Sequence, residues 1–185
     1  MKIGVVGLGA AARNIHLPAI ARIPELALVG GVDPFADKGS FRFPVHDSLA
    51  ALVAEGRPDI VAIVTPPDSH YPLILECLAA GVHVFCEKPF VLTLEQGREV
   101  IAAAAAAARH VVVNNEFRFM NVHAAAKSRI GTPGFGELLF VSMHQTFFVT
   151  EATEKGWRGA GNQRTCFEFG THALDLARFF FDEEP

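Results

Sequence analysis

The chain has 185 residues, half of them hydrophobic, enough to bury one full domain core and part of a second. A formal charge of -4 argues against nucleic acid or an anionic membrane surface, which would demand clustered Lys and Arg, so the expected partner is a small molecule. The three cysteines, Cys77, Cys86 and Cys166, fit neither a zinc site nor a disulfide framework, and no leader or apolar membrane span is legible; reduced thiols, no metal and a cytoplasmic setting are expected.

Ile3 to Val6 predicts a first strand, followed directly by Gly7-Leu8-Gly9-Ala10-Ala11-Ala12 at the opening of a helix. Gly7 permits the tight turn, Gly9 lets the backbone approach a pyrophosphate at the helix N-terminus, and Ala12 keeps helix and strand close. Leu26 to Val32 predicts the second strand. Asp33 ends it, 24 residues after Gly9, where a carboxylate accepts hydrogen bonds from the adenosine ribose and repels a 2′-phosphate; this favours NAD over NADP. Gly7, Leu8, Gly9, Ala10, Ala11 and Asp33 are the expected dinucleotide-binding residues. A glycine-rich turn beside a surface aspartate is the plain alternative.

Asp47 and Ser48 are placed to cap a helix ending near Gly56, and Ile60 to Val64 predicts the next strand. The segment Thr65-Pro66-Pro67-Asp68-Ser69-His70 then leaves the sheet at its ligand-binding edge, so Thr65 and Pro66 are expected to touch the cofactor. Asp68 and Ser69 read as helix caps. His70 reads either as packing or as site, and is counted with the cofactor residues. After the strand Val82 to Cys86 comes Glu87-Lys88-Pro89, where Lys88 points into the same crevice. Burial and a nicotinamide ring would depress its pKa and suit it to orient a substrate hydroxyl or help remove its proton, the alternative being a solvated surface charge. Thr93 and Gln96 form a capping box before an Ala-rich helix, and Val111 to Val113 predicts a last strand.

The pattern changes after about Phe119. A turn at Gly131 to Gly136 leads into an alternating stretch, Glu137 to Val149, that predicts one long strand; a Gly-rich loop and an apolar helix from Phe167 to Phe181 follow. Glu168, His172 and Asp175 share one stripe of that helix. His172 suits proton transfer near neutrality with Glu168 orienting its ring; a structural ion pair is the alternative. The fold class expected is α/β, a doubly wound parallel sheet over residues 1–120 followed by part of an α+β domain over 121–185. A lone strand leaves backbone groups unpaired along both edges, so 137–185 are expected to be covered by another chain or loosely ordered.

These motifs in this order, with Asn115-Glu116-Phe117-Arg118-Phe119 and Trp157-Arg158 among them, resemble the Gfo/Idh/MocA oxidoreductase family over nearly the whole chain. Glu87-Lys88-Pro89 and Gly170-x-His172-x-x-Asp175 are the most specific elements. The resemblance implies a Rossmann domain and then an open-faced sheet domain, incomplete here, through which copies associate as a homo-oligomer. It further implies hydride transfer between NAD or NADP and a secondary carbinol of a sugar, polyol or sugar derivative. Carried onto this sequence it makes Lys88 the lysine shared by cofactor and substrate and His172 the proton carrier. Glu87 and Asn115 fall on the cofactor side, and Arg118, Trp157, Arg158 and Asp175 on the substrate side. Glu168 stands where the family more often has Asp behind a Gly-rich stretch. Two alternatives remain open: a glycosidase using retained NAD for transient oxidation, and a catalytically silent NAD- or sugar-binding protein or truncated relic.

Overall fold

Six short strands build the first part of the chain: Lys2–Val6 (β1), Ala27–Val32 (β2), Val45–His46 (β3), Ile60–Ile63 (β4), His83–Cys86 (β5) and Val111–Val113 (β6). They pair in the order β3-β2-β1-β4-β5-β6 with every pair parallel, the arrangement of a dinucleotide-binding Rossmann sheet. The computed structural model describes residues 1–146 and 166–184. Five of the strands lie on the apolar runs of the sequence. The sixth, β3, has two residues, too few to leave a periodicity.

Side chains alternate across a strand, and the alternation sorts the core into two clusters. Ile3, Val5 and Ala62 pack with Ala12 and Ile20, contributed by a π-helical turn, Ala12–His16, and the short helix Leu17–Ile20 (α1). Val6, Val61, Ile63, Val84 and Cys86 face the other way. Leu49–Gly56 (α2), His70–Ala79 (α3) and Leu94–Ala107 (α4) cover that face with Leu52, Ile74, Leu78 and Val100. Both faces are therefore covered, which is why the strands read as nearly continuous apolar runs.

Capping follows the sequence at two helices. Ser48 Oγ accepts from Ala51 N at 3.2 Å, and Thr93 Oγ1 accepts from Gln96 N at 3.2 Å. The Gln96 side chain returns to Leu92 N, one residue before the cap. At α3 the expected caps are absent. A 3₁₀ turn, Pro67–Ser69, precedes the helix, so Ser69 already has helical dihedrals and its side chain turns back to Thr65 and Pro66, while Asp68 is exposed.

The chain divides into two compact units, Met1–Asn114 and Asn115–Pro185, a boundary slightly before the expected residue 120. Described in the second are a 3₁₀ turn Glu116–Phe119, the helix Asn121–Lys127 (α5), a π-helical turn Cys166–Gly170 and the helix Thr171–Phe181 (α6). The strand expected over 137–149 is not formed at 137–146, and its last three residues lie outside the described ones. Alternation alone does not make a strand; a neighbour must take up the backbone groups, and no described segment pairs with this one. Leu139 and Phe140 are accordingly 87% and 79% exposed. No described helix is long and apolar enough to cross a membrane.

Leu52 locks α2 to the sheet. It is fully buried because three glycines leave room for it: a Cβ on Gly4, Gly30 or Gly56 would approach its methyl groups to 2.7, 3.0 and 3.2 Å. Leu52→Ala is expected to cost about 2–5 kcal/mol in urea denaturation, since three backbone-lined walls cannot collapse into the void. A loss well below that range would show that α2 shifts to fill the space.

Candidate active site

The first strand ends at Gly7, and no other residue fits there. Its φ is +89°, its N–H donates to Val32 O at 2.8 Å, and a Cβ would lie 2.6 Å from Val64 O. Leu8 N next donates to Asp33 Oδ2 at 2.9 Å, while Asp33 Oδ1 accepts from Phe35 N at 2.9 Å. The carboxylate at the end of β2 thus holds the glycine-rich loop, and each oxygen keeps a lone pair for another donor. Gly9 is different in kind: a Cβ there would meet nothing within 4 Å among the described residues. With Ala10 and Ala11 exposed, the backbone opening the helix is accessible, as close approach of a pyrophosphate requires. Arg13 adds a cation that the motif did not signal. Its Nε donates to Leu8 O at 2.9 Å and its guanidinium lies 4.5 Å from the centre of the Phe41 ring.

A buried polar cluster lies at the ends of β5 and β6. His16 Nε2 is 2.7 Å from Glu87 Oε1, Asn114 Nδ2 donates to the same oxygen at 2.8 Å, and Lys88 N donates to Glu87 Oε2 at 3.2 Å. Burial pushes the Glu87 carboxyl up, but the hydrogen bonds from His16 and Asn114 outweigh it and hold the group below the usual carboxylate range. Glu87 is therefore engaged within the protein, and the half-buried Lys88 follows it. His16 and Asn114 were missed in the sequence. The available signal was the helix spacing Ala12, His16, Ile20, an inward stripe with one polar member.

Thr65 stands at the end of β4, its hydroxyl accepting from Ser69 Oγ at 2.7 Å. His70, read from sequence either as packing or as a cofactor residue, is fully buried, with Nδ1 2.8 Å from Pro89 O and Nε2 2.9 Å from Thr65 O. Burial pushes the Cys77 thiol up to about 12 and that of Cys86 higher still, so neither supplies a thiolate.

In the second unit, Glu168, His172 and Asp175 are all buried, as their place on an apolar helix required. Asp175 is 6% exposed, and Arg118 grips its carboxylate with Nε, at 2.8 Å, and a terminal nitrogen, while Asn115 Nδ2 donates at 3.0 Å. Asn115, Arg118 and Asp175, assigned above to cofactor and substrate, are thus brought together with one another: they pin the Glu116–Phe119 turn to α6. The His172 ring stacks on Phe117 with centroids 4.0 Å apart, and its Nε2 lies 3.8 Å from Glu116 Oε1. In the sequence Glu116 and Phe117 stand only as part of the 115–119 motif and are given no role. Trp157 and Arg158 lie outside the described residues.

Residues 1–115 match the model of an oxidoreductase family with an NAD-binding Rossmann fold. The uncharacterized oxidoreductase YdgJ of Escherichia coli is 30% identical over 98% of this chain and 54% of its own length. D-apiose dehydrogenase of Paraburkholderia graminis is 31% identical over 98% of this chain and 50% of its own. Among solved structures, the WlbA dehydrogenase of Bordetella pertussis, in complex with NADH and UDP-GlcNAcA, superposes with a TM-score of 0.64 at 27% identity, over 69% of this chain and 41% of its own. The chain spans about half the length of the curated relatives it matches.

Because the folded Glu87 value is depressed, its contribution to stability is complete above the unfolded carboxylate value, about 4.3, and is lost as pH falls through the lower folded value. Glu87→Gln keeps the shape and removes the charge. Its melting temperature is expected to lie below that of the parent at neutral pH and to fall less between about pH 5 and pH 3. Parallel curves for the two proteins would show that the carboxylate is not coupled to its partners.

Proposed function

We propose a dehydrogenase function from one premise: the chain belongs to the Gfo/Idh/MocA oxidoreductase family, with its NAD-binding Rossmann fold. The proposed reaction is oxidation or reduction at a secondary carbinol of a sugar, polyol or sugar derivative, with NAD as the cofactor. Relatives named for sugar and polyol oxidation, such as D-apiose dehydrogenase and inositol 2-dehydrogenase, support that substrate class.

The observation that carries the proposal is the contrast between two glycines. Gly7 is required by the protein's own packing, whereas among the described residues nothing lies within 4 Å of the place a Cβ would take at Gly9. A glycine whose side-chain space no described residue takes leaves an approach path for a ligand, and its place at the opening of a helix suits a pyrophosphate. Asp33, with Pro34 and Phe35 after it, offers acceptors for ribose hydroxyls and a charge that repels a 2′-phosphate.

Bound NAD supplies the hydride acceptor. In the proposed mechanism the Lys88 ammonium donates a hydrogen bond to the substrate hydroxyl oxygen and stabilises the alkoxide as the proton leaves. A ring nitrogen of His172 takes that proton. The imidazolium so formed is supported by the Glu116 carboxylate, already 3.8 Å from Nε2, and by stacking on Phe117. Glu168 remains in the proposal as the buried carboxylate four residues before His172.

Gly9→Val is expected to leave the melting temperature of the free protein nearly unchanged while NADH binding, followed by fluorescence titration, weakens at least about tenfold, the loss of roughly one close backbone contact. Destabilisation of the free protein with unchanged NADH affinity would sink the assignment. Calorimetric titration should show NAD binding more tightly than NADP, with Asp33→Ala narrowing the difference; tighter NADP binding overturns the cofactor choice. Lys88→Ala and His172→Ala are each expected to lower turnover of a responsive sugar by about 10²-fold or more while NAD affinity changes far less. Near-normal turnover in either variant removes that residue from the mechanism.

A further inference from the structure

Asp33 and Arg13 hold opposite ends of one residue in the glycine-rich loop. Leu8 N donates to Asp33 Oδ2 at 2.9 Å, and Leu8 O accepts from Arg13 Nε at 2.9 Å. The Leu8 side chain and the Phe43 ring both rest on Gly31 of β2, where a Cβ would lie 3.0 Å from each. Phe41 leans on Phe43 with ring centroids 5.2 Å apart, and the Arg13 guanidinium lies 4.5 Å from the centre of the Phe41 ring. An exposed arginine ordinarily samples many rotamers in solvent; this one is fixed at Nε and over an aromatic ring. Its terminal nitrogens have no hydrogen-bond or ion-pair partner among the described residues.

We infer that Arg13 grips the pyrophosphate of a bound dinucleotide with those terminal nitrogens. This role rests on the reading above that the glycine-rich loop holds NAD. A guanidinium keeps its charge at every pH of interest and presents a planar fork that matches phosphate oxygens. Holding it in place beforehand spares the entropy that a free side chain would lose on binding. Charge selects which phosphate it meets. Asp33, on the N–H side of Leu8, receives the ribose and repels a 2′-phosphate, whereas Arg13, on the carbonyl side, adjoins Gly9 and the open approach to the pyrophosphate. Backbone N–H groups at that approach supply partial charges, and Arg13 adds a full positive charge against the diphosphate.

Fluorescence titration of the full chain with NADH, and its displacement by ADP or by adenosine, tests the grip. ADP carries a diphosphate and adenosine none, while both present the ribose that Asp33 receives. Arg13→Gln is expected to raise the dissociation constants of NADH and ADP about tenfold each, the loss of one charged hydrogen-bonding partner, and to move that of adenosine less than about twofold. Equal weakening of ADP and adenosine overturns the inference, because Arg13 then only shapes the loop through Leu8. Unchanged NADH affinity overturns it too, as does a much larger loss for NADPH than for NADH, which would put the guanidinium on the 2′-phosphate. A parent chain that binds neither NADH nor ADP brings down the dinucleotide site itself, and the grip with it. A parent that binds both, with Arg13→Gln indistinguishable from it, brings down the grip alone.

Discussion

Because every strand of the sheet runs parallel to its neighbours, each segment leaving a strand does so at the same edge. Gly7, Asp33, Thr65, Glu87 and Asn114 follow β1, β2, β4, β5 and β6 in turn, and they meet there whatever their separation along the chain. Parallel pairing also forces helical crossovers, which bury both faces and leave that edge as the place where polar groups converge. Between β1 and β4 the strand order reverses, opening the crevice in which such sheets bind ligands. The hydrogen bond from Leu8 N to Asp33 is the local expression of this geometry: it ties the loop after β1 to the end of β2 across that edge.

The polar groups of this rim are largely consumed by one another. Glu87 has His16, Asn114 and the Lys88 N–H; His70 has two carbonyls; Thr65 has Ser69. Burying a carboxylate or an imidazole is costly unless it is hydrogen-bonded, so each of these pairings is a condition of the fold as well as a support for whatever the rim binds. Asp175 repeats the pattern in the second unit, where a forked Arg118 and Asn115 satisfy both oxygens. Residues that look catalytic by type are thus engaged in hydrogen bonds within their own unit.

Family membership gives this arrangement its meaning while leaving the substrate to experiment. The relatives match over nearly the whole of this chain, which spans about half their length. Specificity within one Rossmann scaffold resides in the groups that face the substrate, so a shared cofactor fold does not carry a shared sugar.

Much of the fold was legible from the amino-acid order because its signals are local. Apolar runs of strand length, Ser48 and Thr93 before their helices, and glycines after β1 each act within a few residues, and physical chemistry reads them without knowing what lies across the sheet. The same locality hid the rest. Glu87 and His16 are 71 positions apart, Arg118 and Asp175 57 apart, and no periodicity announces which buried polar side chain will find which partner. It also misled at Glu137 to Thr146, where alternation promised a strand that needed a neighbour to exist. The sequence by itself determined which faces are apolar, where the chain turns and where a dinucleotide loop begins. Tertiary structure alone decided that Glu87 is held by His16 and Asn114, that Asp175 serves Arg118, and that His70 bridges two loops, because a hydrogen bond is a relation between distant groups and is set only when the sheet brings them together.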